Sequence, residues 1–247
     1  MRMDYEKYVL SKKEWVKGGA VYLLCCACVG FFFYRSVVVA VALLVGFPLF
    51  VKIYRKKLIK ERKKKLIDEF SETLYSVSIN MKSGYSLENA FVEAYKDIKL
   101  FYKEDSLMAE EIMRIRKGLE INITLEELIE DLANRSNEEE IRMFSDVCKS
   151  AKRNGGNITE VLSYTADRIR EGICVDKEIE ILISEKRLEL RIMEAVPFFL
   201  LLYLEITSKG YFDILYSGIK GRLFMTGCLL LYILAVALGQ KILGIKV

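Results

Sequence analysis

The chain has 247 residues, a net charge of +4 and no histidine, so it has no phospho-accepting imidazole, no imidazole metal ligand and no histidine general base. A histidine-type sensor kinase is thereby excluded. Just over half of the residues are apolar and 29% are charged, and the two classes are segregated along the chain, so the average composition describes no part of it.

Residues 1–17 form a basic N-terminal segment, with Lys7, Lys12, Lys13 and Lys17. Residues 18–54 read as a transmembrane hairpin. Gly18–Tyr34 and Ser36–Tyr54 are each close to the ~20 residues that cross ~30 Å of hydrocarbon, with the turn at Arg35. Lys52–Lys65 follows, with nine basic residues against one acid. Such a run stays on the cytoplasmic face and leans on anionic lipid headgroups. The basic excess is therefore assigned to membrane lipids and not to nucleic acid.

Residues 55–191 contain no proline and read as a cytoplasmic antiparallel helical bundle. Apolar residues recur at three- and four-residue steps: Ile67, Phe70, Leu74, Val77 and Met81; then Leu87, Phe91, Ala94 and Ile98; then Leu125, Leu128, Ile129 and Leu132. Ile141, Phe144, Val147 and Ala151 continue the pattern, as do Val161, Leu162, Thr165 and Ile169. Each stripe needs a partner face, which a bundle supplies. Gly84, Gly118 and Gly155-Gly156 stand where helices should stop, because glycine enters the left-handed region at little cost. Ser86 caps the helix after Gly84. Thr124–Glu127, Ser136–Glu139 and Asn157–Glu160 have the spacing of capping boxes. The segments Ser78–Ala90 and Cys148–Val161 share this helix–glycine–cap layout and read as an internal repeat.

From Thr165 a long helix runs toward the membrane and is expected to kink at Pro197, where an amide is missing. Residues 192–243 read as a second transmembrane hairpin, with spans Ile192–Thr207 and Arg222–Leu243 around an outer loop at 208–221. Residues 244–247 are a cytoplasmic tail, so both termini lie inside. Glu194, toward the inner end of its span and within reach of Arg191, and Glu205, toward the outer end, are functional candidates because ionisable groups in a span are costly. The fold expected is all-α: a membrane protein with two transmembrane helical hairpins flanking a cytoplasmic antiparallel helical bundle.

No Gly-x-x-x-x-Gly-Lys-Ser/Thr loop is present, and Gly155-Gly156-Asn157 reads as a turn and cap. The carboxylate pairs fall on solvent faces, so no metal or cofactor is expected. Four of the six cysteines lie in the spans, and Cys148 and Cys174 are placed in the cytoplasm, which argues against a disulfide framework.

The tract from Phe70 and Leu74 through Lys82–Ala90, then Arg135-Ser136, then Ala151–Leu162, resembles the type II secretion system F domain. The tail, with Glu185–Arg187, Pro197, Tyr211, Gly221 and Gly239, resembles more narrowly the TadB-type members of tight adherence (Flp pilus) systems. The resemblance implies a multi-pass platform protein of the cytoplasmic membrane that is not an enzyme. Its implied partners are a hexameric secretion ATPase, a TadC-like platform protein and pilin subunits. Larger F proteins carry two such domains; one domain here implies a homo-oligomer or heteromer. Arg114, Arg116 and Lys117 are the candidate contact for the ATPase, and Pro197, Glu194 and Glu205 for coupling within the membrane. The competing readings are a helical membrane scaffold or signalling protein and a lipid-acting enzyme.

Overall fold

The computed structural model describes residues 5, 12–30, 34, 44–102, 106–154, 158–208 and 218–243, and the regular elements among them are helical. In chain order these are α1 (Lys12–Val29), a 3₁₀ turn (Leu44–Gly46), α2 (Phe47–Lys82), α3 (Leu87–Tyr102) and α4 (Leu107–Glu120). They continue with α5 (Leu125–Ser136), α6 (Glu139–Asn154), α7 (Ile158–Thr207) and α8 (Ile219–Leu243). The chain divides into two units: Met1–Val9 with Arg55–Lys177, and Leu10–Tyr54 with Glu178–Val247. The expected turn at Arg35, the Gly155-Gly156-Asn157 turn, Lys7 and Tyr211 lie outside the described residues.

The first unit is built on the apolar face of α2. Leu66, Phe70, Leu74, Val77 and Met81 recur at helical steps and are buried. Phe144 of α6 sits at the centre of the packing, with ring centroids 5.9 Å from Phe70 and 6.0 Å from Phe91. Full burial of each such ring contributes roughly 1.5–3 kcal/mol. Leu125, Ile129 and Leu132 of α5 and Leu162, Ala166, Ile169 and Ile173 of α7 close the same core. The expected stripe on α7 is rotated in one respect. Val161 is exposed and Ala166 takes the place expected for Thr165, because the helix turns its small residues toward α2. There Ser78 Oγ and Ser163 Oγ lie 2.8 Å apart, a contact that only short hydroxyl side chains permit.

Helix ends correct several expectations. Gly84 has φ +94°, with Tyr85 N donating to Asn80 O (3.1 Å) and Gly84 N to Met81 O (3.0 Å). These are the two bonds of a Schellman stop. Ser86 Oγ accepts from Asn89 N at 3.3 Å and opens α3. Gly118, in contrast, is not a stop. It lies inside α4, where a Cβ would come 2.5 Å from Leu128 Cδ2, so its role is close packing of α4 on α5. The stop belongs to Asn122 at φ 61°, with Ile123 N bonded to Gly118 O and Asn122 N to Leu119 O, each at 3.0 Å. α5 also ends on a left-handed asparagine, Asn137 at φ 53°, whose amide donates to Ala133 O at 2.9 Å. Ser136 is therefore the buried last residue of α5, not the first residue of a capping box. Thr124 holds the extended N-cap backbone of α5 but makes no side-chain cap bond.

In the second unit, α1 packs on the start of α2 in an antiparallel sense, Gly18 against Tyr54 and Tyr22 against Phe50. α2 begins only at Phe47, after the 3₁₀ turn, so Ser36–Tyr54 is not one continuous α-helix. Pro48 fits this boundary, because the first turn of a helix leaves its amides without an intrahelical partner and so tolerates a proline. α7 continues unbroken through Pro197 to Thr207. At 50 residues it is more than twice what a bilayer requires. Among the described residues, one segment is long and apolar enough to cross a membrane, Gly221–Ile242 of α8. The outer part of α7 is interrupted by Glu194 and Glu205, and α1 opens on Lys12, Lys13, Glu14 and Lys17.

Substituting Gly84→Ala should lower the stability of the detergent-solubilised protein by roughly 1–2 kcal/mol, since alanine is strained at that backbone conformation. Asn122→Gly should leave it within about 0.5 kcal/mol, because glycine is at ease there. Urea titration followed by circular dichroism separates the two.

Candidate functional site

The N-terminus of α4 is held by a carboxylate from another helix. Glu69 of α2 is fully buried; its Oε2 accepts from Ser106 Oγ at 2.9 Å and from Met108 N at 2.8 Å. Ser106 Oγ in turn accepts from Ala109 N at 2.9 Å. The negative charge faces the positive end of the helix dipole.

One turn along α4, Glu111 is the centre of a larger network. It is 2% exposed, and Arg135 from the last turn of α5 grips it with two guanidinium bonds, at 3.0 and 2.6 Å. Arg114 donates to Glu111 Oε1 at 3.0 Å, and Arg135 Nε donates to Asp131 at 2.7 Å. The third donor to Glu111 is Tyr5, whose hydroxyl lies 2.8 Å away. Tyr5 is almost wholly buried, its amide donates to Arg135 O at 3.3 Å, and Arg62 stands 5.2 Å from its ring centroid. The N-terminal segment, expected to be a separate stretch before the membrane, thus contributes a residue to the bundle core.

Electrostatics follow from this geometry. Burial pushes the Tyr5 phenol above its ordinary pKa, and the Glu111 charge pushes it further. Burial works against the charge on Arg135, but hydrogen bonds and charges from Glu111 and then Asp131 outweigh it and raise its pKa. Glu111 Oε1 accepts three donors and Oε2 one. The cluster ties the N-terminal segment to α4 and α5.

The expected ATPase patch divides in two. Arg116 and Lys117 are exposed on α4, with Arg116 paired to Glu120 at 3.2 Å. Arg114 points into the Glu111 network. The basic run of α2 divides likewise. Lys52, Arg55, Lys56, Lys57 and Lys60 are exposed, while Lys63 pairs with Glu138 at 2.9 Å and Arg62 lies over Tyr5. Sequence reasoning missed Tyr5, Glu69 and Glu111, whose partners lie up to 106 residues away. It also missed Leu100 and Phe101, which stand exposed at the end of α3.

In the second unit α7 and α8 pair in antiparallel register. A Cβ on Gly239 would lie 2.7 Å from Leu190 Cδ1. Tyr232 Oη donates to the backbone oxygen of Glu194 at 2.8 Å, and its ring meets Phe198 edge-on at 5.5 Å. The structure thus brings Glu194 and the turn holding Pro197 onto Tyr232. Glu205 lies farther out, between Leu204 and Ile206 near the end of α7.

The chain matches the family described as Type II secretion system (T2SS), protein F, over residues 73–205, which is 133 of its 247 residues. It belongs to that family. The match begins on the core face of α2, crosses the whole bundle and ends in the apolar part of α7. Protein F relatives are inner-membrane platform proteins of secretion and pilus-assembly machines that work with secretion ATPases and other platform proteins. No curated protein and no solved structure matches the chain.

Two outcomes test the network. Glu111→Ala should destabilise the protein by about 3 kcal/mol, because it leaves Arg135 buried without its main partner, while Tyr5→Phe should cost about 1 kcal/mol. Cys148 provides a pH test: burial, with the Glu126 charge behind it, pushes its thiol from 9.0 up to about 12. A thiol raised on folding stabilises fully below its unfolded pKa, and that contribution is lost as pH climbs from 9.0 toward about 12. Alkylation at mildly alkaline pH should therefore modify the exposed Cys174 and spare Cys148 until the protein is unfolded, as peptide mass mapping would record.

Proposed function

We propose that this protein F relative is a TadB-like platform of a tight adherence (Flp) pilus machine, coupling a hexameric secretion ATPase to the extraction of pilins from the bilayer and their assembly. It performs no chemistry of its own; its work is to be gripped on one side and to hold subunits on the other. A TadC-like platform protein and further copies of the chain complete the assembly. It is a multi-pass protein, with two hairpins and both termini on the cytoplasmic side.

The observation that carries this reading is the family match itself, which covers a charged bundle and an apolar helix end in one continuous stretch. Tyr5 supports the topology. Its contact with Glu111 suits a topology in which residues before α1 and the bundle share one side of the membrane, as two crossings between them would give. The helix α7, with its charged first half and apolar second half, is the element through which motor force would reach the membrane. The exposed pair Arg116 and Lys117 is the surface offered to the ATPase.

Affinity purification of the intact protein from detergent-solubilised native membranes should recover a hexameric secretion ATPase and a second platform protein, identified by mass spectrometry. Joint reversal of Arg116→Glu and Lys117→Glu should reduce ATPase recovery about tenfold while leaving the second membrane protein in place. A preparation that lacks both partners, under conditions that retain other membrane complexes, would transfer the assignment to a helical scaffold.

A further inference from the structure

The pairing of α7 with α8 sets the depth of Glu194. Tyr232 is at the middle of Gly221–Ile242, and its hydroxyl reaches the Glu194 backbone. With Gly221–Ile242 across the bilayer, the half-length of about 16 Å at 1.5 Å per residue places Glu194 within roughly one helical turn of the midplane. That is deeper than the inner-end position its place in the sequence suggests. Lipid headgroups lie about 15 Å from the midplane on either side.

At this depth Glu194 Oε1 is buried and has no hydrogen-bond partner. Arg191 is exposed one turn toward the charged half of α7 and does not supply one. A carboxylate in hydrocarbon is costly unless it is paired. Beyond Arg191, the chain brings no cation to this level. Residues 18–29, 192–207 and 223–240 contain no lysine or arginine, so a second copy offers none from α1, α7 or α8. Tyr232 is committed to the backbone, and that bond holds the Glu194 turn against α8.

We propose that Glu194 is the acceptor for an amine, a lysine ammonium or a free α-amino group, carried into the bilayer on the apolar segment of a partner chain. A single carboxylate oxygen can hold the point charge of an ammonium, whereas the two-pronged guanidinium is held best by both oxygens. The partner is a membrane-embedded polypeptide, because a headgroup amine cannot reach the midplane. This deepens the platform reading and rests on it, since a platform that handles subunits within the bilayer must hold them there by something stronger than apolar contact.

The test uses the intact protein in native membranes treated with a hydrophobic carbodiimide, which activates a carboxyl in an apolar setting and joins it to an amine in contact as an amide. The expected result is a peptide of a second polypeptide linked to Glu194, absent from the Glu194→Gln variant and replaced by the simple carbodiimide adduct when the chain is expressed alone. Glu194→Gln should also lower subunit export about tenfold while the ATPase still co-purifies. A link only to a lipid amine, the same unlinked adduct in both membranes, or export at the wild-type level in Glu194→Gln would each overturn the proposal. A polypeptide link formed without any co-purifying ATPase would keep the amine site and remove the platform reading.

Discussion

The bundle depends on the Glu111–Arg135 pair. Taking two charges out of water is expensive, and the cost is met here because every acceptor position near Arg135 is used: both Glu111 oxygens and then Asp131. The pair is less a source of stability than of specificity. It ties the last turn of α5 to α4 through both oxygens of one carboxylate. Glu69 does the same for the start of α4, so two carboxylates, neither exposed, set where that helix lies. The surface carrying Arg116 and Lys117 inherits its orientation from these buried contacts.

The apolar stripes were legible in the sequence because burial on one face of a helix leaves a period that survives in the letters. Gly84 was legible for a similar reason: glycine followed by a serine cap is a local signal. The asparagines at 122 and 137 were not, since asparagine enters the left-handed region less often than glycine and Gly118 stood nearby as a more obvious candidate. Gly118 shows why residue type alone misleads. The same absence of a side chain serves a turn in one place and close helix packing against Leu128 in another. The hydroxyls of Thr124 and Ser136 had the spacing of caps, but spacing does not say which way a hydroxyl rotates or where the preceding helix ends.

The Glu111 network was unreadable because its members come from distant parts of the chain and each has an ordinary local explanation. Glu111 looks like a surface acid, Arg114 like part of a basic patch, and Tyr5 like a residue in an unstructured lead. In the membrane unit the apolar runs announced themselves, but their helical limits did not. The break before Phe47 coincides with one proline. The meeting of Tyr232 with the Glu194 backbone depends on the register of α7 with α8, which no feature of α7 alone encodes.

Tyr5 has a consequence for the order in which the protein is made. It is made before the helices α1 to α8, and its socket is incomplete until Arg135 has been synthesised and α5 has docked. In the interval Tyr5 lacks the Glu111 and Arg135 partners that it has in the finished bundle. Closing a loop of this length costs only slowly growing entropy, so the delay is one of availability and not of energy. The arrival of Tyr5 in its socket therefore marks a chain in which α4 and α5 have already come together, and a chain whose bundle has not closed has no means of completing it.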